Sequence, residues 1–448
     1  MTFRVFCYRC SQFAVNAVML AALVFRLFEP QLALGAEQKV AGVVTFNGPR
    51  PERQVIRLVG KDGKPTDCHE LHQEHLLDEN LIVGEDGGLA NVFVYVKKGV
   101  PKRDYPRVRK SPVLDQINCM FQPRVQGVRT GQELLMRNSD QLIHNVRSLS
   151  LRNRAFNVAQ PASSPDRKKS FRRAEREIKI QCDFHPWMTA YIFVMDHPFF
   201  AVSDESGRFE FSGLPAGNYT VAAWHEELGG KQKELIVSKD GIEPISFAFQ
   251  PKQAGQQIAS PVSNVVSNTG TVPGTDGKPK KKRRFVKMWK TEDFSDVMND
   301  LNQHSIERGR LIFEEASCSK CHLVAAKGNK LGPELTGVAK HHKGIKLLQQ
   351  ILMPSAEIHK DYQTQLFVTD EGKIITGLLV QENAEKVTVL PNPLKPEETI
   401  DIPTASITER RISKLSTMPE GLLMNFDRTE ILDLIAFLSS TNDSKITD

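Results

Sequence analysis

The chain has 448 residues, 40% of them hydrophobic and 25% charged, a globular composition that excludes a fibrous or disordered protein. A net charge of +6, from 59 Lys+Arg against 53 Asp+Glu, is too thinly spread for a dedicated nucleic-acid binder. Seven cysteines, at 7, 10, 68, 119, 182, 318 and 321, are too few for a disulfide scaffold of this length, so their positions carry the information.

Residues 1–36 read as an export signal. Arg4 and Arg9 precede an apolar stretch from Phe13 to Phe28, and Ala33-Leu34-Gly35-Ala36 closes it with small residues. Arg26 and Asn16 interrupt the stretch, which makes it short for a membrane span. An uncleaved anchor is the alternative, and it is the one route to a membrane that the sequence offers. Cys7 and Cys10 leave with the signal. Five cysteines, an odd number, then enter an oxidising compartment, the periplasm or the cell surface.

Residues 37–199 are patterned as an all-β domain. Val40–Phe46 reads as a strand and Asn47-Gly48 as a turn. Leu89–Val96, Leu134–Met136, Ile143–Val146, Glu177–Gln181 and Ala190–Met195 follow as strands, and helical periodicity is scarce, which predicts a sandwich or barrel. Residues 200–250 continue as shorter strands around Gly207 and Pro215-Ala216-Gly217. Residues 251–284 are a Gly/Ser/Pro/Asn-rich linker ending in the basic run Lys278–Arg284. That run reads as a solvated domain edge, with docking to an acidic redox partner or an anionic surface as the rival.

Residues 285–445 read as helical at both ends with a β middle. Ser305 is an N-cap candidate for a helix to Ala316 that presents Ile306, Leu311 and Phe313. Lys346–Met353 is a second helix, stopped by Pro354. Thr364–Val380 and Lys386–Leu390 read as strands. Asp427–Ser440 reads as a last amphipathic helix with Ile431, Leu434, Ile435 and Leu438 on one face.

Cys318-Ser-Lys-Cys321-His322 sits just after the first of these helices. Two thiols at this spacing can form thioethers to both vinyl groups of one haem, and the adjacent His then reaches the iron. A zinc half-site would need a second cysteine pair, which is missing, and a thioredoxin-like site would need a βαβ pattern, which is also missing. Candidates for the second axial ligand are Met353, Met418, Met424, His341, His342 and His359. The segment 305–440 resembles a bacterial haem-binding (cytochrome c) module. The likeness is carried by Gly309-Arg310 and Phe313 before the cysteines, Gly332-Pro-Glu-Leu335, Ile351-Leu352, Pro354–Ile358, Thr369–Gly377, Ser416–Leu422 and Asp433–Leu438. The resemblance implies a mainly α cytochrome c domain with a β insertion, Met418 as distal ligand, Met353 as packing and Met424 as core.

Cys182-Asp-Phe-His185-Pro-Trp-Met188 lies between two predicted strands. One thiolate, two imidazoles and a weak axial thioether make a type 1 copper site; this loop supplies three of the four, and His144 fits as the fourth. The C-x-x-H-P-x-M loop and the approach Arg137-Asn138-Ser139-Asp140 resemble the cupredoxins of the amicyanin type. The resemblance implies a Greek-key sandwich in which Asn145, next to His144, ties the two ligand loops together. A lone Cys182 in an exported protein needs a metal to hold it; the alternative is a cupredoxin fold without metal. Phe184 and Trp187 would tune the potential.

The run Asp204-x-x-Gly207-x-Phe209-x-Phe211-x-x-Leu214-Pro-x-Gly217-x-Tyr219-x-Val221 resembles the carboxypeptidase-regulatory-like β-sandwich. Cys68 and Cys119 remain as a disulfide pair closing a loop of about 50 residues, a stabilisation of roughly 3–4 kcal/mol. The rival is a metal site built from Cys68, His69, His72 and His75. His197 and His225 read as structural groups, with a second copper as the lesser alternative.

Together these readings predict an exported electron carrier with one type 1 copper (His144, Cys182, His185, Met188) and one haem c (Cys318, Cys321, His322, Met418). The linker would let the centres approach without fixed geometry, and redox proteins, some of them acidic, would be the partners. A copper–haem oxidoreductase of nitrite-reductase type, which needs a three-His copper, and a haem-only protein with metal-free β modules are the alternatives.

Overall fold

A computed structural model describes residues 38–56, 58, 68–69, 76–238, 241–251, 285–296, 301–370, 374–391 and 399–441. The expected export signal, the basic run Lys278–Arg284, and His72 and His75 lie outside the described residues. Among those described, no helix is long and apolar enough to cross a membrane.

The first half of the chain builds two β-sandwiches. Strands β1 (Gln38–Phe46) and β2 (Phe93–Lys98) open the first. Nine strands of the second follow: β3 (Val113–Ile117), β4 (Met120–Gln122), β5 (Val125–Arg129), β6 (Glu133–Asn138), β7 (His144–Ser148), β8 (Asn157–Gln160), β9 (Arg167–Ser170), β10 (Glu175–Gln181) and β11 (Thr189–Met195). The chain then returns to the first sandwich with β12 (Phe200–Val202), β13 (Arg208–Leu214), β14 (Gly217–His225), β15 (Gly229–Val237) and β16 (Ile245–Phe249).

The sheets of the first sandwich run β13-β1-β16 and β12-β2-β14-β15. Those of the second run β5-β11-β10-β7-β8 and β4-β3-β6-β9. The expected division at 199/200 therefore does not follow the sheets. β1 pairs antiparallel with β13 and parallel with β16, and β2 pairs with β12 and β14. The second sandwich is an insertion in the first. Sequence neighbours are the default pairing partners, and this parallel long-range pairing breaks that default. For the same reason Asn47-Gly48 closes no hairpin; the chain leaves β1 with Asn47 N donating to Phe249 O at 2.7 Å.

Local chemistry fixes these strands. Asp204 turns the chain into β13 by accepting the Ser206 and Arg208 amides on Oδ1, each at 2.9 Å. Along β13, Phe209 and Phe211 then point inward and Arg208 and Glu210 outward, the period-two pattern of a half-buried strand. Phe93, Phe193 and Phe200 stack where the two sandwiches meet, with centroids 3.9 Å (Phe93–Phe193) and 5.5 Å (Phe93–Phe200) apart. Each buried ring contributes about 2–3 kcal/mol. The Cys68–Cys119 disulfide is formed, with a Cα–Cα distance of 6.1 Å, and removes Cys68 from any metal set.

The second half holds the short pair β17 (Leu323–Val324) and β18 (Lys327–Gly328) and a five-stranded sheet. The sheet contains β19 (Thr364–Thr369), β20 (Ile374–Glu382), β21 (Lys386–Leu390), β22 (Ile400–Pro403) and β23 (Ile407–Ile412), ordered β22-β21-β20-β19-β23. Its helices are α1 (Ile306–Glu315), α2 (Ile345–Leu352) and α3 (Arg428–Ser440). Among the described residues, three helices beside five paired strands, β19 to β23, make the part mixed rather than mainly α.

Ser305 caps α1 as expected, its hydroxyl accepting the Arg308 amide. The buried face differs from expectation: Ile306 and Leu311 are about half exposed, while Gly309, Ile312 and Phe313 are buried. Gly309 sets that rotation, since a Cβ there would sit 2.0 Å from Asp433 O of α3. Helix α3 carries a reciprocal cap, the Asp427 carboxylate taking the Glu430 amide and the Glu430 carboxylate taking the Asp427 amide, each at 2.9 Å. It is buried all round from Ile431 to Leu438 rather than amphipathic. Its one buried charge, Asp433, accepts from the Ser305 amide and His304 and pairs with Arg308.

Candidate functional site

Two neighbouring loops of the second sandwich bring His144, Cys182 and His185 together. His144 begins β7 and is fully buried. Cys182 follows β10, and the turn to β11 closes on itself, with Met188 N donating to His185 O at 2.9 Å and Cys182 N to Met188 O at 3.2 Å. The two imidazoles present Nδ1 to one point, 2.9 Å apart, and Cys182 Sγ lies 3.7 Å from His185 Nδ1. Met188, in the same loop, is fully buried.

The surrounding groups fix this donor set. His144 Nε2 lies 2.8 Å from Asp140 Oδ2, which leaves Nδ1 as its inward atom. Asp140 is itself held by the Asn118 and Cys119 amides at 2.7 and 2.8 Å. Burial alone would raise the Asp140 pKa, but the bonds from His144 and the Cys119 amide outweigh it and hold the carboxylate below its ordinary range. Asn138 shapes the same turn, donating to Leu142 O and Gln160 O. Burial keeps His185 neutral by pushing its pKa well below the usual imidazole value, with His144 and Lys320 adding to the effect. Burial also pushes the Cys182 thiol up to about 12, so the sulfur stays protonated unless a bound cation displaces the proton.

Asn145 joins the two loops. Its Oδ1 accepts the Asp183 amide at 2.7 Å and lies 3.3 Å from Cys182 Sγ, and its own amide points at that sulfur from 3.5 Å. Trp187 stands over the His185 ring at a centroid distance of 5.4 Å and donates to Cys119 O. One sulfur and two imidazoles gathered in a buried pocket, with Met188 buried in the same loop, suit a soft or borderline cation such as copper better than a hard one.

The C-x-x-C-H segment lies at the end of α1. Ser317 takes a left-handed conformation and starts a single 3-10 turn, Cys318–Lys320. Both thiols are free, and burial pushes them up to about 12 (Cys318) and about 11 (Cys321), with the Asp183 carboxylate adding to the second. His322 Nδ1 lies 2.8 Å from Pro333 O, which reserves Nε2 for an incoming group. Gly332 is needed there, because a Cβ would fall 2.8 Å from the His322 ring. Met418 and Cys318 pack on the same apolar cluster, beside Leu335 and Val338. These features fit a covalently held haem. Met353, expected as packing, is about half exposed, whereas Met424 is core as expected.

The two loops lie against each other, in place of the expected freely approaching centres. Lys320, inside the C-x-x-C-H run, lies over the Phe184 ring at 5.8 Å. Asn157 Nδ2 reaches Ser416 O and Thr417 O at 3.2 and 3.1 Å, and Ala159 N donates to Glu420 O at 2.7 Å. Two arginines of the second sandwich are used inside the molecule: buried Arg147 pairs with Asp183, and Arg167 approaches the Met288 and Met424 sulfurs. Buried His197 accepts the Phe199 amide, and His225 accepts the Glu227 amide. The second acid–imidazole group, Cys119–Asp140–His144, offers no further thiolate because Cys119 is in the disulfide. Asn157 carried no motif, since an Asn bonding to carbonyls leaves no spacing in the sequence; the 416–420 loop was singled out for Met418, not for its contact with β8.

No family model matches the chain, and no curated relative does, so the resemblances at the haem motif and the small sandwich find no support there. Among solved structures, the purple cupredoxin of Nitrosopumilus maritimus is 18% identical over 19% of this chain and 100% of its own, with a TM-score of 0.17. A copper-containing nitrite reductase from Thermus scotoductus SA-01 is 18% identical over 23% of this chain, with a TM-score of 0.18, and the chain spans only 25% of its length. A methionine-to-alanine variant of amicyanin in its Cu(I) form is 15% identical over 23% of this chain and 98% of its own, with a TM-score of 0.18.

Proposed function

We propose that the chain is an exported electron-transfer protein. It holds one type 1 copper at His144, Cys182, His185 and Met188, and one covalent c-type haem at Cys318, Cys321 and His322 with Met418 as the second axial ligand. The observation that carries this reading is the convergence of two imidazole Nδ1 atoms and one thiol in a buried pocket. Bound there, copper supplies one-electron chemistry. The protein residues hold the donors still: Asp140 fixes the His144 ring, Asn145 fixes the sulfur loop, and Trp187 keeps water from the imidazoles. A shell that stays put between oxidation states lowers the reorganisation that each electron transfer demands. At the haem motif, Pro333 orients His322, and Cys318 and Cys321 provide the thioether anchors.

The Cys68–Cys119 disulfide supports an oxidising compartment such as the periplasm. Redox proteins, some of them acidic, are the expected partners.

Metal analysis and an optical spectrum of the exported protein test this reading. One copper per chain with an intense blue thiolate-to-copper band is expected. Cys182→Ser should abolish that band and leave the haem spectrum intact. A band that survives the substitution overturns the ligand set, and two coppers per chain with nitrite turnover would replace the carrier by an enzyme.

A further inference from the structure

We propose that Asn157 is a positioning residue that clamps the Met418 loop to the Cys182 site, making the two loops one mechanical unit. The inference rests on the copper and haem reading for its meaning and on hydrogen bonds for its substance. Asn157 starts β8 and is 2% exposed. Its Oδ1 accepts from Asn145 Nδ2 at 2.7 Å, and Asn145 Oδ1 lies 3.3 Å from Cys182 Sγ. Its Nδ2 is shared among Thr417 O, Ser416 O and Asp183 Oδ2, at 3.1, 3.2 and 3.1 Å. Its backbone carbonyl accepts the Glu420 amide at 3.1 Å, while the Glu420 carbonyl accepts the Ala159 amide. The segment 416–420, with Met418 at its middle, is thus laid along β8 by an isolated parallel bridge between Val158 and Glu420.

A surface loop held only by its own chain would swing freely; this one is gripped at both ends. On the haem side, Ser355 Oγ takes the Ser416 amide and Ser416 Oγ takes the Met418 amide, each at 3.1 Å. On the copper side, the grip passes through a buried amide side chain that also touches the group bracing the thiol. A buried amide of this kind leaves unpaired carbonyls when removed, so its loss should free the loop rather than simply weaken it.

The test uses the full chain with Asn157→Leu, which keeps the branched shape and removes the bonds, and Glu420→Pro, which removes one bond of the clamp and leaves the sandwich untouched. Amide exchange at Thr417 and Met418 should accelerate at least tenfold in both variants, and at Glu420 in Asn157→Leu. The imidazole concentration that half-displaces the Met from ferric haem should fall at least tenfold. Unchanged exchange in a folded Asn157→Leu, or in Glu420→Pro should the first not fold, overturns the clamp. Faster exchange with unchanged imidazole displacement overturns its link to Met418. If the parent protein shows no Met-ligated haem spectrum, the ligand reading fails separately, and amide exchange alone decides the clamp.

Discussion

The two candidate centres are built in opposite ways. The haem motif gathers two thiols and an imidazole from five consecutive residues, on a short turn beyond α1. The copper site draws His144 from one strand end and Cys182, His185 and Met188 from a loop 38 residues later, and it is braced by buried side chains of β6, β7 and β8. The first needs little tertiary structure to assemble its covalent anchors. The second exists only once the sandwich has folded. A contiguous motif therefore tolerates a loose surround, and a dispersed one demands a rigid frame.

The largest effect expected separates the two outright. Replacing Cys318 and Cys321 together by Ala should remove all covalently bound haem, read by haem staining after denaturing electrophoresis, while the blue copper band persists. A copper band lost along with the haem would mean that the centres do not fold independently.

A smaller effect concerns stability and pH. Burial lowers the His197 pKa to about 4, against 6.5 for an ordinary His. The unfolded chain therefore takes up a proton near pH 6.5 that the folded chain refuses until about pH 4. Stability is full above the first value and falls as pH drops between the two, by on the order of 3 kcal/mol in all. Urea unfolding followed on the sandwich should show this slope, and His197→Gln should reduce it, leaving the share of buried His185. An equal slope in the variant would assign the acid sensitivity elsewhere.

The smallest effect touches one site alone. Asp140→Asn keeps the shape beside His144 but weakens the group that orients its ring. Copper affinity should fall 10–100-fold, about 1.4–2.8 kcal/mol, without change in the haem. An unaltered affinity, measured by competition with a chelator, would show that the turn geometry alone orients His144.

The sequence reading followed the same contrast. Cys318, Cys321 and His322 could be read from spacing alone, because the chemistry of thioether attachment is local. His144 was legible only as the partner that Cys182 lacked, yet it arrives in hydrogen-bonding range of His185. The strands were largely legible where alternation is strict, as in β10 and β13, and not where the strand is polar or short, as in β4, β8 and β9. The pairing of β1 with β16 was illegible because nothing in a strand's composition names its neighbour. Leu311 misled because helical spacing fixes a stripe but not which stripe is buried; Gly309, the residue without a side chain, decided that.

The return of the chain to β1 also has a consequence for the order of synthesis. The first described strand waits for Ile245–Phe249, about 200 residues downstream, before its parallel partner exists. During synthesis its edge stays open while the inserted sandwich can already close. The N-terminal strand is thus the stretch most in need of a chaperone, and the copper-site sandwich is the part of the molecule able to mature ahead of the strands that enclose it in sequence.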